Sequence, residues 1–121
     1  MIRIYSLLHS LGITANYAGF FYTSKAVSLA MEDMEYLLLV TKRLYPDMAA
    51  HFCTTANSIE RGIRTVIDVA WKNSSPLLCQ MARKPLYKKP SASEFIAVLT
   101  LSMLYMEHET VENLEETLQQ N

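Results

Sequence analysis

Apolar residues recur along this chain at intervals of three and four, which places them on single helical faces. In "IRIYSLLHSL", Ile4, Leu7, Leu8 and Leu11 fall at i, i+3, i+4 and i+7, and Gly12 is a natural stop. "ITANYAGF" reads as a connection. From Thr23, "TSKAVSLAMEDMEYLLLVTKRL" predicts a long helix with Ala26, Val27, Ala30, Met34, Leu37 and Leu38 inward, and "MEDME" is where it could break in two. Pro46 suits a first turn, so "PDMAAHF" predicts a short helix, with "CTT" a tight turn after it.

Thr55 is a good N-cap for the next helix, and Asn57 with Glu60 offers an alternative capping box. That helix is expected to run to about Lys72, with Ile59, Ile63, Val66, Ile67 and Ala70 buried and Trp71 near its end. Asn57, Glu60, Arg61, Arg64, Thr65 and Asp68 lie on the other side. "NSSPLLCQMA" predicts a further short helix, and "RKPLYKKPSAS" an exposed basic loop. Ser91 or Ser93 can cap the last helix, "EFIAVLTLSMLYMEH". The tail "TVENLEETLQQN" keeps Val111, Leu114 and Leu118 at i, i+3 and i+7. No strand, repeat or low-complexity segment emerges. The expected fold is all-α, a compact helical domain of about six helices over residues 1–108 with an acidic amphipathic extension over 109–121.

Composition supports one packed unit. Half of the 121 residues are hydrophobic, enough for a core, and only three glycines and four prolines argue against a loop-rich chain. No apolar run is long enough to span a membrane, and the start lacks a signal peptide's uninterrupted apolar stretch. A cytoplasmic protein with no membrane partner is expected. Cys53 and Cys79 read as free thiols, and no metal or cofactor is expected because His51 and Cys53 lack ligand spacing. His9, His51 and His108 have no catalytic partners at readable spacing. Six methionines (Met31, Met34, Met48, Met81, Met103 and Met106) fall on apolar stripes that suit a core, and Tyr17, Phe20, Phe21 and Tyr22 are expected to pack the first connection.

The net charge of −1 conceals an asymmetry. Residues 107–121 hold five glutamates and no Lys or Arg, while the first 106 residues carry 11 basic against 7 acidic side chains. A mildly basic body with an acidic tail permits an anionic partner.

Residues 48–72 follow a helix-turn-helix pattern. Met48 is a core position, Ala49 a small crossing residue, Phe52 the end of the first helix, Cys53-Thr54 the turn and Thr55 the cap; Ile59 and Ile63 hold the second helix down. Such a helix enters the major groove with its N-terminal half against base edges. Asn57, Ser58, Glu60, Arg61, Arg64 and Thr65 would then face the bases. Arg suits guanine, Glu can accept from cytosine and Asn can pair with adenine. Free N–H groups near Thr55 can hold a phosphate, and Lys84, Lys88 and Lys89 can clamp the backbone. Cys53 stands where glycine is common. Spacing alone leaves a second reading open, in which Glu60 and Arg64 form a solvated i, i+4 pair worth about 0.3–0.5 kcal/mol.

Three stretches, "LYPDMAAHF", "TTANSIERGIRTVIDVAW" and "KKPSASEFIA", resemble in order and spacing the C-terminal effector domain of the stage-zero sporulation protein A family, the sporulation response regulators of endospore-forming Firmicutes. The resemblance runs from about Ile4 to His108. It implies an all-helical domain that binds double-stranded DNA and reads a short element, TGTCGAA or close to it. By position, Glu60, Arg61 and Arg64 match DNA-contacting residues, and Lys89 matches a lysine of the basic loop. The stretch from about Asn73 to Arg83 matches the region that addresses the sigma subunit of RNA polymerase. Tandem sites in this family imply a homodimer on DNA.

The chain also departs from that pattern. Ser58 stands where arginine is common and Thr65 where histidine is common, so the preferred sequence could be relaxed or shifted. "NSSPLLCQMARKPLY" differs from the family's segment. The phosphorylated receiver domain has no counterpart in these residues, which fits either an excised domain or a stand-alone relative. The expected function is sequence-specific transcription regulation without catalysis, since no nucleophile–base pair, paired carboxylates or glycine-rich phosphate loop is present. The competing class is a degenerate relative that binds protein and not DNA.

Overall fold

The computed structural model describes residues 2–119, without the side chains of Ile2, Thr110 and Val111, so Val111's expected place on the tail's stripe lies outside the described residues. Five α-helices follow in order: α1 (Ile2–Ser10), α2 (Ala18–Glu32), α3 (Tyr45–Phe52), α4 (Ala56–Ala82) and α5 (Ala92–Gln119). A short 3-10 turn, Met34–Leu37, and a π turn, Val40–Leu44, join α2 to α3. No strand is present among the described residues, as the all-α reading requires.

The first helix stops as its sequence says. Gly12 adopts φ +83, its N–H bonds to the His9 carbonyl at 2.9 Å, and the Ile13 N–H reaches back to Leu8 at 2.9 Å. This is a left-handed helix cap that glycine adopts without steric cost. α2 starts at Ala18, inside the expected connection, and ends at Glu32, so the long segment does break within "MEDME". Asp33 leaves the helix at φ −146 and its carboxylate accepts the Glu35 N–H at 3.1 Å, turning the chain into the 3-10 segment. Met34 and Leu38, expected inward, are exposed because this irregular stretch abandons the 3.6-residue period.

The helix expected to end near Lys72 breaks at Ser74, whose φ −145 and ψ 32 are not helical, and the short helix expected after it follows, so α4 is two helices joined at a kink. Pro76 is the cause: it donates no N–H and its ring would clash with the Lys72 carbonyl of a straight helix. The tail continues α5 without interruption, so the body and the extension share one helix.

The core forms where α2, α4 and α5 meet, with α1 and α3 closing it. Leu8, Leu11, Leu44, Met48, Ile59, Ile63, Ile67, Phe95 and Leu99 are fully buried. Phe20 is buried and stacks on Tyr5, with centroids 5.0 Å apart, whereas Phe21 and Met106, expected to pack, are exposed. α2 and α4 touch backbone to backbone at Gly19 and Gly62. A Cβ on Gly19 would lie 2.1 Å from the Gly62 carbonyl oxygen, and a Cβ on Gly62 would lie 2.8 Å from the Tyr22 ring. Only glycine at both positions permits this crossing, and the crossing sets the height of α4 above the core.

Candidate nucleic-acid interface

The interface begins at the turn between α3 and α4. Pro46 occupies the first turn of α3, and Met48 anchors that helix with no exposed surface. Cys53 ends it in the left-handed region (φ 54, ψ 47), and the Thr54 N–H bonds to the Ala49 carbonyl at 3.0 Å. The closure matches the one at Gly12, with a cysteine in the glycine position. Thr55 then caps α4: its hydroxyl oxygen accepts the Ser58 N–H at 3.1 Å and donates to Ser58 Oγ at 3.0 Å. Thr55, and not Asn57, is therefore the cap.

The apolar side of α4 holds it down through Ile59, Ile63, Val66, Ile67 and Ala70, all buried. The opposite side presents Asn57, Arg61, Arg64, Thr65 and Asp68 to solvent, with Glu60 half-buried beside them. Ser58 is half-buried and engaged with Thr55, so it stands less open than its neighbours. Arg64 Nη2 donates to Glu60 Oε1 at 3.1 Å, the i, i+4 pair that spacing allowed. Arg64 keeps 70% of its side chain exposed in that pair, so the contact orients the guanidinium without removing it from solvent. Arg61 makes no ion pair among the described residues; its carbonyl accepts the Thr65 hydroxyl at 3.0 Å.

Beside Glu60 and Arg64 lies the ring of Tyr45, 3% exposed. Burial pushes its hydroxyl up to about 12, the Glu60 carboxylate adds to this and the Arg64 guanidinium opposes it. A neutral phenol thus lines the same cleft as the charged pair.

The basic loop divides. Lys89 forms an ion pair with Asp68 on α4, which ties the loop to the outward face of that helix. Lys84 and Lys88 are exposed and make no ion pair among the described residues. Ser91 caps α5, accepting the Glu94 N–H at 3.2 Å while its hydroxyl donates to Glu94 Oε1 at 3.3 Å, an N-cap that decides between the two candidate serines. A cleft of about 410 Å³ separates this helix start from α4, with Glu60, Arg64, Asp68 and Lys89 around it. Asp68, Tyr45 and the glycine pair were not foreseen as contributors. Gly62 within "ERGIR" was the available signal, a glycine in a helix interior that costs stability unless something approaches closely.

A match to the sporulation initiation factor Spo0A C-terminal family covers residues 4–103. The chain belongs to this family. The Spo0A C-terminal family is one of DNA-binding sporulation regulators, so double-stranded DNA is its class of partner. The match takes in α1 to α4 and the first part of α5, and stops at Met103, where α5 leaves the core. No helix among the described residues is long and apolar enough to cross a membrane, and no group of three or more His, Cys, Asp or Glu side chains among them is placed to hold a metal ion.

Proposed function

We propose that the chain regulates transcription by reading a TGTCGAA-like duplex element with the outward face of the first half of α4. Arg61 and Arg64 contact guanines, Glu60 accepts from a cytosine or steadies Arg64, and Asn57, Ser58 and Thr65 border the same base pairs. Thr55 at the helix start meets a phosphate, and Lys84, Lys88 and Lys89 meet the backbone. The observation that carries this reading is a capped helix, pinned by five buried side chains, whose free face offers two exposed guanidinium groups. Lys89 stands beside that face through Asp68, so one docking would engage bases and backbone together.

The reading extends to partners. Copies pair on tandem sites, and the segment 73–83 beyond the kink of α4 addresses the sigma subunit of RNA polymerase. The domain proper is residues 1–108, with 109–121 an extension that DNA reading does not need, in a protein that works in the cytoplasm without catalysis. A second reading, an interaction module without DNA affinity, is favoured by one observation: Leu114 and Leu118 stand uncovered on the projecting part of α5.

Fluorescence anisotropy of a labelled TGTCGAA duplex against a scrambled one, across a salt series, separates these readings. Tighter binding to the first duplex, weakening with salt, is the expected outcome. Equal weak binding to both would mean that Ser58 and Thr65 have shifted the code. No binding at low salt would leave the interaction module.

A further inference from the structure

An apolar surface begins where the family match ends on α5 and runs on past it. A groove of about 770 Å³ runs between α1, α2 and α5, with Ile4, Val27, Met31 and Met103 as its apolar lining. At 100° per residue, Met103, Leu104, Glu107, Leu114 and Leu118 fall within an arc of roughly 100° on α5. The helix face that α1 and α2 cover at Met103, 4% exposed, therefore continues uncovered to Leu114 and Leu118, which are 60% and 75% exposed. The groove and the bare leucines lie on one face of the same helix, with Glu107 between them.

Charge decides what fits this face. Glu32 and Glu107 line the groove, Glu115 follows Leu114, and Arg3 is the only cation among the lining residues. A second copy laid antiparallel with its Leu118 over Leu104 would bring Glu107 toward Glu115, like against like, in both halves of the pair. The geometry points to a docking site for a lysine- or arginine-rich amphipathic helix of another protein, whose apolar side covers Leu114, Leu118 and the groove while its cations meet the glutamates. DNA does not compete for it: α5 begins at the cleft beside Arg64, and Leu114 lies 22 residues farther on, about 33 Å along the helix axis.

The test uses the full chain and a labelled peptide of about 20 residues with leucines at helical i, i+3 and i+7 spacing and lysines elsewhere. A scrambled peptide of the same composition and the double variant Leu114→Gln/Leu118→Gln are the controls; glutamine keeps helix propensity and leaves every charge in place. Anisotropy should show the patterned peptide binding at least about tenfold more tightly than the scrambled one, with that advantage lost in the double variant. Equal binding of both peptides would reduce the site to charge alone and overturn the proposal, as would unchanged binding by the variant. Sedimentation of the chain by itself supplies the remaining outcome: a dimer abolished by the same two substitutions would make a second copy the occupant and overturn the charge argument. None of these outcomes depends on whether α4 reads DNA.

Discussion

Arg61 and Arg64 are one helical turn apart and share a face, yet their surroundings differ. Arg64 is held by Glu60 beside a buried phenol, whereas Arg61 has no ion pair among the described residues. Arg61 is thus free to chelate a base without first breaking a contact. Arg61→Ala is expected to cost about 1–3 kcal/mol on the specific duplex and to flatten preference at one base pair. Lys89→Ala should weaken specific and random DNA alike and lower the salt slope by about one unit. Equal losses on both duplexes for Arg61→Ala would remove the base-reading role. Tyr45 supplies a test by pH. Its hydroxyl stays protonated in the folded chain up to about 12, while in the unfolded chain it ionises near 10. The folded state then binds the proton more tightly, so this contribution is intact below pH 10 and is lost as pH rises toward 12. The loss amounts to about 2–3 kcal/mol, and Tyr45→Phe should flatten that part of a urea-stability profile.

At the level of elements, α4 is located by two features. One is the turn that delivers it. Cys53 holds a left-handed conformation that costs a side chain roughly 1–2 kcal/mol, and glycine would be free of that strain. After the larger unfolded-state entropy of glycine is set against this, Cys53→Gly is expected to stabilise by about 0.5–1 kcal/mol and raise Tm by about 2–5 °C. A lower Tm would mean that the thiol makes a contact the turn needs. The other feature is the crossing of α2 and α4. Gly19→Ala drives a methyl into the Gly62 carbonyl, and backbone cannot yield as a flexible side chain can. A destabilisation of more than about 3 kcal/mol is expected by chemical denaturation, because α4 must lift off the core that Ile59 and Ile63 fill. The mild response usual for a surface glycine would show that the crossing has slack.

Over the whole molecule, charge and packing divide at the same place. The core is complete by Met103, and the described side chains from Tyr105 to Gln119 are exposed. The acidic excess begins there too, at Glu107. A chain ending at His108 is therefore expected to unfold cooperatively with a Tm within about 3 °C of the full chain. It should also bind DNA somewhat more tightly at low salt, since four glutamates are gone. A broadened or strongly lowered transition would place the extension inside the cooperative unit.

Spacing and residue type were enough to read the helices that carry a regular apolar stripe and the caps that need particular side chains. Ile59, Ile63, Val66, Ile67 and Ala70 recur on one face, so the inner side of α4 and its outward arginines were both legible from spacing. Gly12, Pro46 and Thr55 are residues whose own backbone and hydrogen-bonding chemistry marks a stop, a start and a cap. Features that depend on distant partners emerged only in the folded chain. The 3-10 and π turns between α2 and α3 carry no period, so their exposed Met34 and Leu38 could not be placed. The run of α5 into its tail rests on one continuous helix, which cap residues in a sequence do not forbid. The Gly19–Gly62 contact and the Lys89–Asp68 pair link positions 43 and 21 residues apart. Neither leaves a local pattern, because each is defined by the packing of one helix on another and not by the period of either.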